Sequence, residues 1–339
     1  MKEQTKIKLS VLDQSPVRKG GTAAQALQET VALAKAADEL GYTRYWVAEH
    51  HNARGLAGSA PEVLIAHLAG QTTRIRIGSG GVMLPHYSAL KVAENFKLLE
   101  NLFPGRIDLG IGRAPGTDRL TAAALNPHNT FSDEAFMQQL KDLGHYLQDT
   151  FEAGDITEKV RATPMAPSVP PVWILSSSGQ SGLFAAHFGF NFSFAHFINP
   201  MGGGQMVKAY QQHFEPSAFR ETPQANVGVF VMCAETEEKA RELQETMDLM
   251  MLRIEKGISA GVPPYEDVQA QEYSEAEQER ITFNRQRMIS GTPDQVKERL
   301  EELASSYDVD ELMIVTITHG FEDRLRSYQL LADAFGLSA

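Results

Sequence analysis

The three residues Glu49-His50-His51 combine a carboxylate with two adjacent imidazoles, directly after an apolar run at residues 45–48. Such a group could bind a metal ion, transfer protons or only end a strand. Successive strand residues point to opposite faces, so His50 and His51 cannot easily hold one metal ion. Zinc would also need a third protein ligand, and no His-x-x-x-His pattern or paired Asp lies nearby. We therefore predict no metal site and favour a proton-transfer role for one of the two histidines, since imidazole titrates near neutral pH. A purely structural histidine is the alternative.

A serine-rich stretch, SSSGQSG at residues 176–182, is the second candidate. It follows an apolar run and precedes a helix that we expect to begin near Ser181. Small residues let the backbone approach a ligand, while hydroxyl groups and free helix N–H groups bind phosphate. The predicted phosphate-binding residues are Ser176, Ser177, Ser178 and Ser181. An ordinary serine N-cap is the alternative.

Glycine residues surround Arg113 in GIGRAPG at residues 110–116. The third glycine comes at 116 and position 115 is proline, so neither a Rossmann fingerprint nor a Walker A loop fits. What remains is Arg113, a fixed positive charge that could bind a phosphate or an anionic ring. A structural ion pair is the alternative.

The pair Gly80-Gly81, in SGGVMLPH at residues 79–86, permits a backbone against which a flat ligand could lie, although a β-bulge fits equally well. His196 and His319 are further candidates that also suit packing roles. A phosphate site, an arginine, a glycine pair and a histidine together indicate a phosphorylated planar cofactor.

Eight β-rich segments, most of them followed by a helical pattern, predict the elements that position these residues. They lie at residues 7–12, 45–48, 75–78, 107–111, 172–175, 190–194, 227–232 and 312–316. This alternation predicts an α/β fold, a (β/α)₈ TIM barrel, whose active site lies at the C-terminal ends of the strands. A doubly wound open sheet fits less well, because no central switch is evident.

Two long segments interrupt the alternation, at residues 112–130 and, before the last βα unit, at residues 257–291. Such insertions in a barrel usually lie at the C-terminal face and act as lids. We expect residues 257–291 to be a lid.

The composition excludes several functional classes. The formal net charge is −12 and no basic tract occurs, which argues against nucleic acid and anionic membranes as partners. The single cysteine, Cys233, rules out an internal disulfide. No apolar run reaches ~18 residues and the N-terminus lacks a signal-peptide pattern, so we expect a cytoplasmic protein.

Four stretches together resemble the bacterial luciferase-like superfamily of flavin-dependent monooxygenases over nearly the whole chain. They are GYTRYWVAEHH (41–51), RIRIGSGGVMLPHYSALKVAENFKLLENLFPGRIDLGIGR (74–113), PVWILSSSGQSG (171–182) and SGTPDQVKERL (290–300). The resemblance implies a single TIM-barrel domain over residues 1–339 that forms a homodimer. It also implies a two-component monooxygenase that uses O2 on a small organic substrate, with reduced FMN from a separate NAD(P)H-dependent flavin reductase. A non-catalytic flavin-binding protein and a deazaflavin-dependent dehydrogenase of the same fold are the alternatives.

The resemblance also implies roles for individual residues. His50 corresponds to the active-site histidine that handles protons, and Arg113 to an arginine near the flavin phosphate. The serines of residues 176–181 match the phosphate-binding turn, and Gly80-Gly81 matches a non-prolyl cis peptide beside the isoalloxazine ring.

Two positions depart from the luciferase pattern. His196 replaces a tryptophan near the phosphate end and is counted here among the cofactor-binding residues. Gly112 replaces a reactive cysteine of the luciferase catalytic subunit. Light emission and long-chain aldehyde specificity are therefore not expected.

Overall fold

The strands and helices alternate along the chain in a computed structural model, which describes residues 6–113, 116–128, 130–258 and 260–338. The strands are β1 (Lys8–Asp13), β2 (Arg44–Val47), β3 (Arg76–Ser79), β4 (Val82–Met83), β5 (Ile107–Gly112), β6 (Val172–Ser176), β7 (Asn191–Ala195), β8 (Ala225–Cys233), β9 (Met288–Gly291) and β10 (Glu311–Val315). The helices are α1 (Ala23–Leu40), α2 (Pro61–Gln71), α3 (Ala89–Leu102), α4 (Arg119–Leu125), α5 (Asp133–Gln148), α6 (Gly179–Phe188), α7 (Gly203–Gln212), α8 (Glu237–Glu255), α9 (Tyr265–Gln269), α10 (Glu275–Asn284), α11 (Pro293–Tyr307) and α12 (Phe321–Phe335).

Eight parallel strands close into a barrel in the order β1-β2-β3-β5-β6-β7-β8-β10. Strand β10 pairs with both β8 and β1, which closes the ring. The short strands β4 and β9 pair alongside the C-terminal ends of β5 and β8. The predicted (β/α)₈ TIM barrel is therefore confirmed.

The strands are apolar on both faces because the barrel interior and the helix layer bury them from opposite sides. All nine residues of β8 are buried. Helix α1 shows how the outer layer is delimited. Its N-cap Thr22 forms a capping box with Gln25, and Gly41 ends it in the left-handed region at φ 84°.

A polar cluster closes the N-terminal side of the barrel. The Arg44 guanidinium donates to Asp108 at 2.8 Å and to Glu311 at 2.6 Å, and all three side chains are buried. The rings of Trp46 and Trp173 lie against this guanidinium. The open space of the barrel therefore lies on its C-terminal side.

The segment predicted as a lid, residues 257–291, contains α9 and α10, and its last four residues form β9. Ion pairs hold it against α8: Arg253 with Asp267 at 3.0 Å, and Arg280 with Glu255 at 2.8 Å. Strand β9 was not predicted, because Met-Ile-Ser-Gly is too short for a period-2 pattern. No helix in the described part of the chain has the length and apolar character that a membrane span requires.

Candidate functional site

A cavity of about 1090 Å³ occupies the C-terminal mouth of the barrel, a size suited to a small-molecule or cofactor site. It brings together most of the predicted site residues, which come from the ends of β2, β3, β5 and β6. Those that line it are His50, Gly80, Gly81, Arg113, Ser176, Ser177, Ser178 and Ser181. The cavity lining includes neither His196 nor His319.

The serine turn leads into α6, which begins at Gly179, two residues earlier than predicted. Its N-cap residue, Ser178, accepts no hydrogen bond from the helix; the Ser178 N–H instead donates to Ser176 Oγ at 3.0 Å. Ser181, in the first turn, is buried against the cavity. The structure thus does not support the ordinary N-cap alternative. Helix N–H groups without a capping side chain, at the positive end of the helix dipole, are suited to an anion.

Arg113 lies beside this helix start and is held by two side chains that sequence reasoning missed. Its Nη1 donates to Asp133, the first residue of α5, and to Gln180 Oε1 at 3.4 Å. Gln180 in turn donates to Asp133. The Arg113 and Asp133 side chains are 28% and 42% exposed, and ion pairs this exposed are weak. An incoming anion could therefore replace the carboxylate as the partner of Arg113.

The peptide bond between Gly80 and Gly81 is cis, as the family resemblance implies, and both glycines line the cavity between β3 and β4. A Cβ added to Gly80 would lie 2.5 Å from Leu12 Cδ1, and one added to Gly81 would lie 2.8 Å from the Gly110 carbonyl oxygen. At Gly81 the neighbouring atoms are backbone and leave no room for a side chain, whereas at Gly80 the Leu12 side chain would have to move. The pair therefore presents bare backbone to the cavity, a surface against which a planar ring can lie.

The His50 side chain enters the cavity, while its backbone N–H donates to the Gly58 carbonyl at 2.9 Å. Its Nδ1 is buried and has no hydrogen-bond partner among the described residues. Burial lowers the pKa of His50 to about 4, with a smaller contribution from His51. The ring is therefore neutral at pH 7, rather than close to half-protonated. A neutral imidazole carries one N–H donor and one acceptor nitrogen.

The neighbouring His51 belongs to a different cluster, centred on the fully buried carboxylate of Glu49. Glu49 Oε1 lies 2.7 Å from His51 Nε2 and accepts a hydrogen bond from the Tyr87 hydroxyl at 2.7 Å. Glu49 Oε2 accepts the backbone N–H of Met83 at 2.9 Å. This cluster ties the His50 turn to the segment that follows the glycine pair. Its role is positional, and nothing in the sequence singled out Tyr87.

His196 was predicted to bind cofactor, but the structure does not bring it into the cavity. Its Nε2 donates to the Gln286 carbonyl at 3.0 Å, and its Nδ1 accepts from the Tyr307 hydroxyl at 2.8 Å. Both ring nitrogens are thus occupied outside the site. Its neighbours Ala195 and Phe197 line the cavity instead, because adjacent residues at a strand end face opposite ways.

The connection after β5 forms the roof of the cavity. The roof residues are Arg119, Ala122, Ala123, Asn126, Pro127, Thr130 and Phe131. This roof is bonded to the histidine turn: Thr117 Oγ1 donates to the His51 carbonyl at 2.9 Å, and Asn52 Nδ2 donates to Asp118 at 3.0 Å. From the segment predicted as a lid, Arg287 alone of the described residues lines the cavity.

The side chains in the part of the chain that the structure describes do not meet the requirements of a metal site. No group of three His, Cys, Asp or Glu side chains there has the geometry to hold a metal ion. The Cys233 thiol is buried, and burial raises its pKa to about 12. It is thus not a reactive thiolate at neutral pH.

Comparisons with known proteins agree with this geometry. A family model described as luciferase-like monooxygenase matches residues 7–309. The chain is 54% identical to the uncharacterized protein YwcH of Bacillus subtilis, over 97% of this chain and 99% of that protein. It is 39% identical to the N-acetyl-S-alkylcysteine monooxygenase of the same organism, over 97% and 98%.

Solved structures give the same picture. The crystal structure of apo-MsnO8 superposes with a TM-score of 0.91 at 39% identity, covering 98% of this chain and 99% of that one. At 20% identity, the fold alone is shared with the oxygenating constituent of 3,6-diketocamphane monooxygenase from Pseudomonas putida in complex with FMN, with a TM-score of 0.71 and 97% of each chain covered.

Proposed function

Because the chain belongs to the luciferase-like monooxygenase family, we propose that it is an FMN-dependent oxidoreductase that uses O2 to oxidise a small organic substrate. One observation carries the proposal. The uncapped start of α6, Arg113, the bare Gly80-Gly81 backbone and the neutral His50 all face one cavity. These are the parts that a phosphorylated planar cofactor requires.

The residues present fit FMN. The N–H groups at the start of α6, the serines of residues 176–181 and Arg113 would hold its phosphate. The glycine pair would lie against its ring. When bound in reduced form, FMN supplies the electrons that activate O2.

His50 would hold a proton at the reacting end of the site. The His50 ring lines the cavity, and because its buried Nδ1 has no hydrogen-bond partner among the described residues, no neighbouring group fixes which ring nitrogen carries the proton. A neutral imidazole adds no further positive charge to the arginines that line the cavity. The roof residues and the apolar side chains around Phe230 would exclude water from the reaction.

Reducing equivalents would come from a separate NAD(P)H-dependent flavin reductase, since the chain has no dinucleotide-binding fingerprint. The protein would work as a homodimer in the cytoplasm, with the segment at residues 257–291 as a lid. The relative that acts on N-acetyl-S-alkylcysteines suggests thioethers as the first substrates to test.

A deazaflavin-dependent dehydrogenase and a non-catalytic flavin-binding protein are the competing functions. Anaerobic titration with FMN, reduced FMN and a deazaflavin cofactor distinguishes the first of these. We expect FMN to bind and the deazaflavin to bind more weakly. Absence of binding by both forms of FMN would refute the proposal.

Turnover is tested by O2 uptake with a flavin reductase, FMN, NADH and N-acetyl-S-benzylcysteine. We expect substrate-dependent product formation that His50→Ala reduces without a matching loss of FMN affinity. FMN binding without turnover on any thioether, ketone or aldehyde offered would support the non-catalytic alternative. Unchanged turnover in His50→Ala would remove His50 from the chemistry.

A further inference from the structure

Besides Arg113 and the roof residue Arg119, the cavity is lined by Arg287, which lies on a different side from the phosphate-binding corner. It lies in the short turn after α10, immediately before β9, and Met288 of β9 pairs with Phe230 of β8. Phe230 also lines the cavity. Arg113 follows β5, and the strands β6 and β7 separate that corner from β8. The cavity therefore has cationic side chains on two well-separated sides.

Arg287 has no acidic partner among the described residues. Its Nε is buried without a hydrogen-bond partner there, and the guanidinium carbon lies 5.5 Å from the Phe283 ring centroid. The nearby carboxylate of Glu255 is already occupied, because it accepts two hydrogen bonds from Arg280, each of 2.8 Å, and a third from Asn284 at 3.1 Å.

A half-buried guanidinium that lines a cavity without an ion-pair partner costs free energy, which an anion bound in that cavity would offset. Burial lowers the pKa of Arg287, with Arg280 adding to the effect, but an arginine remains charged at neutral pH. A single FMN has one phosphate, and the α6 corner already offers a site for it. The charge of Arg287 is thus available to another anion.

The surroundings of Arg287 indicate what that anion is attached to. Three bulky apolar side chains, Phe197, Phe230 and Met251, line the same cavity, and the rings of Phe197 and Phe230 are in edge contact at 5.3 Å. A ligand whose apolar part packs on these side chains and whose planar anionic group binds Arg287 would complement both the apolar surface and the charge. A guanidinium matches a carboxylate in a bidentate geometry.

We propose that Arg287 is a specificity-determining residue that binds the carboxylate of the substrate, a small organic acid whose apolar part lies against Phe197, Phe230 and Met251. This inference rests on the proposed function, because it assigns the cavity space beyond the cofactor to a substrate.

The test compares N-acetyl-S-benzylcysteine with its methyl ester, which has the same body but no charge. Binding of each to the FMN-loaded protein is measured by isothermal titration calorimetry, and FMN affinity is measured separately. The variants are Arg287→Gln, Arg287→Lys and the matched control Arg241→Gln, which removes the same charge from an exposed position of α8 outside the cavity.

We expect the wild type to bind the acid more tightly than the ester. Arg287→Gln should weaken the acid about 10- to 100-fold, the range for a lost hydrogen bond to a charged group. In Arg287→Gln the affinities for the ester and for FMN should change less than about twofold. Arg287→Lys should bind the acid with intermediate affinity, because an ammonium point charge replaces the planar guanidinium. Arg241→Gln should bind all three ligands as the wild type does. Thermal melting checks that each variant is folded.

Several outcomes would overturn the inference alone: equal wild-type affinity for acid and ester, no binding of either, or an acid preference that survives Arg287→Gln. A loss of FMN affinity in Arg287→Gln as large as the loss for the acid would overturn it too, by assigning Arg287 to the cofactor. Failure of the wild type to bind FMN would refute the proposed function itself, and the inference with it.

Discussion

Replacing Arg113 with glutamine should weaken FMN binding through the phosphate alone. A hydrogen bond from a guanidinium to an anion contributes about 1.5–3 kcal/mol. To form it, Arg113 must give up its half-exposed ion pair with Asp133, worth up to about 1 kcal/mol. The net loss in Arg113→Gln is therefore about 1–2 kcal/mol, or roughly 5- to 30-fold in Kd.

The measurement is a pair of fluorescence titrations with FMN and with riboflavin, which has the same ring but no phosphate. Riboflavin affinity should change less than about twofold in Arg113→Gln. The companion variant Asp133→Asn should tighten FMN binding severalfold. It removes a carboxylate that competes with the phosphate for Arg113 and repels that phosphate by about 1 kcal/mol after screening. It should leave riboflavin unchanged.

The results that would refute this reasoning are distinct. An unchanged FMN affinity in Arg113→Gln would mean that the phosphate binds elsewhere. Equal weakening of FMN and riboflavin would mean that Arg113 supports the ring site or the fold. Weaker FMN binding in Asp133→Asn would mean that the carboxylate orients the arginine rather than competes with the ligand.

Three further predictions concern stability. The pKa of His50 is about 4 in the folded protein and 6.5 in an exposed histidine. The unfolded state therefore takes up the proton first, and the free energy of unfolding falls as the pH drops from about 6.5 to 4. His50→Gln should remove up to about 3 kcal/mol of that fall, measured by urea unfolding. A Cβ on Gly110 would lie 2.0 Å from the Ser79 carbonyl oxygen, so Gly110→Ala should cost about 1–3 kcal/mol and lower the Tm. Arg324 is buried and pairs with the buried Asp13, so Arg324→Met should cost about 3–5 kcal/mol by leaving that carboxylate unpaired.

Each of these has a matched control in the chain. His187→Gln replaces a histidine on the surface of α6, outside the cavity, and controls for the effect of a histidine-to-glutamine change as such. Gly70→Ala in α2 meets no atom closer than 3.9 Å and should be neutral or slightly stabilising. Arg326→Met breaks an exposed ion pair with Glu235 and should cost less than about 1 kcal/mol. If a control variant changes stability as much as the variant with which it is paired, the physical cause given for that variant is wrong.

Much of the fold could be predicted from the sequence because each barrel strand is a separate apolar run. The predicted segment at residues 107–111 corresponds to β5 (Ile107–Gly112), and that at residues 172–175 to β6 (Val172–Ser176). Strand β9 could not be predicted, since its pairing with β8 depends on a tertiary contact rather than on its own pattern.

The candidate site was predictable where backbone chemistry marks it. The Gly80-Gly81 pair stands out in the sequence, and the uncapped helix start follows a run of serines. The direction of side chains at strand ends was not predictable. The sequence therefore carries no sign that the His196 ring bonds to Tyr307 outside the cavity lining. Asp133 and Arg287 were missed because each lies far along the chain from the motif that it approaches in space.

The hydrogen bonds between the roof and the histidine turn have a mechanical consequence. The His51 carbonyl accepts a hydrogen bond from the Thr117 hydroxyl, and the His51 N–H donates to the Gly116 carbonyl at 3.3 Å. The Asn52 side chain donates to the Asp118 carboxylate. A roof that swings aside with these bonds intact must carry the turn along and shift the imidazole of His50. As long as these bonds persist, admission of a molecule by that route and the position of the His50 ring are therefore coupled.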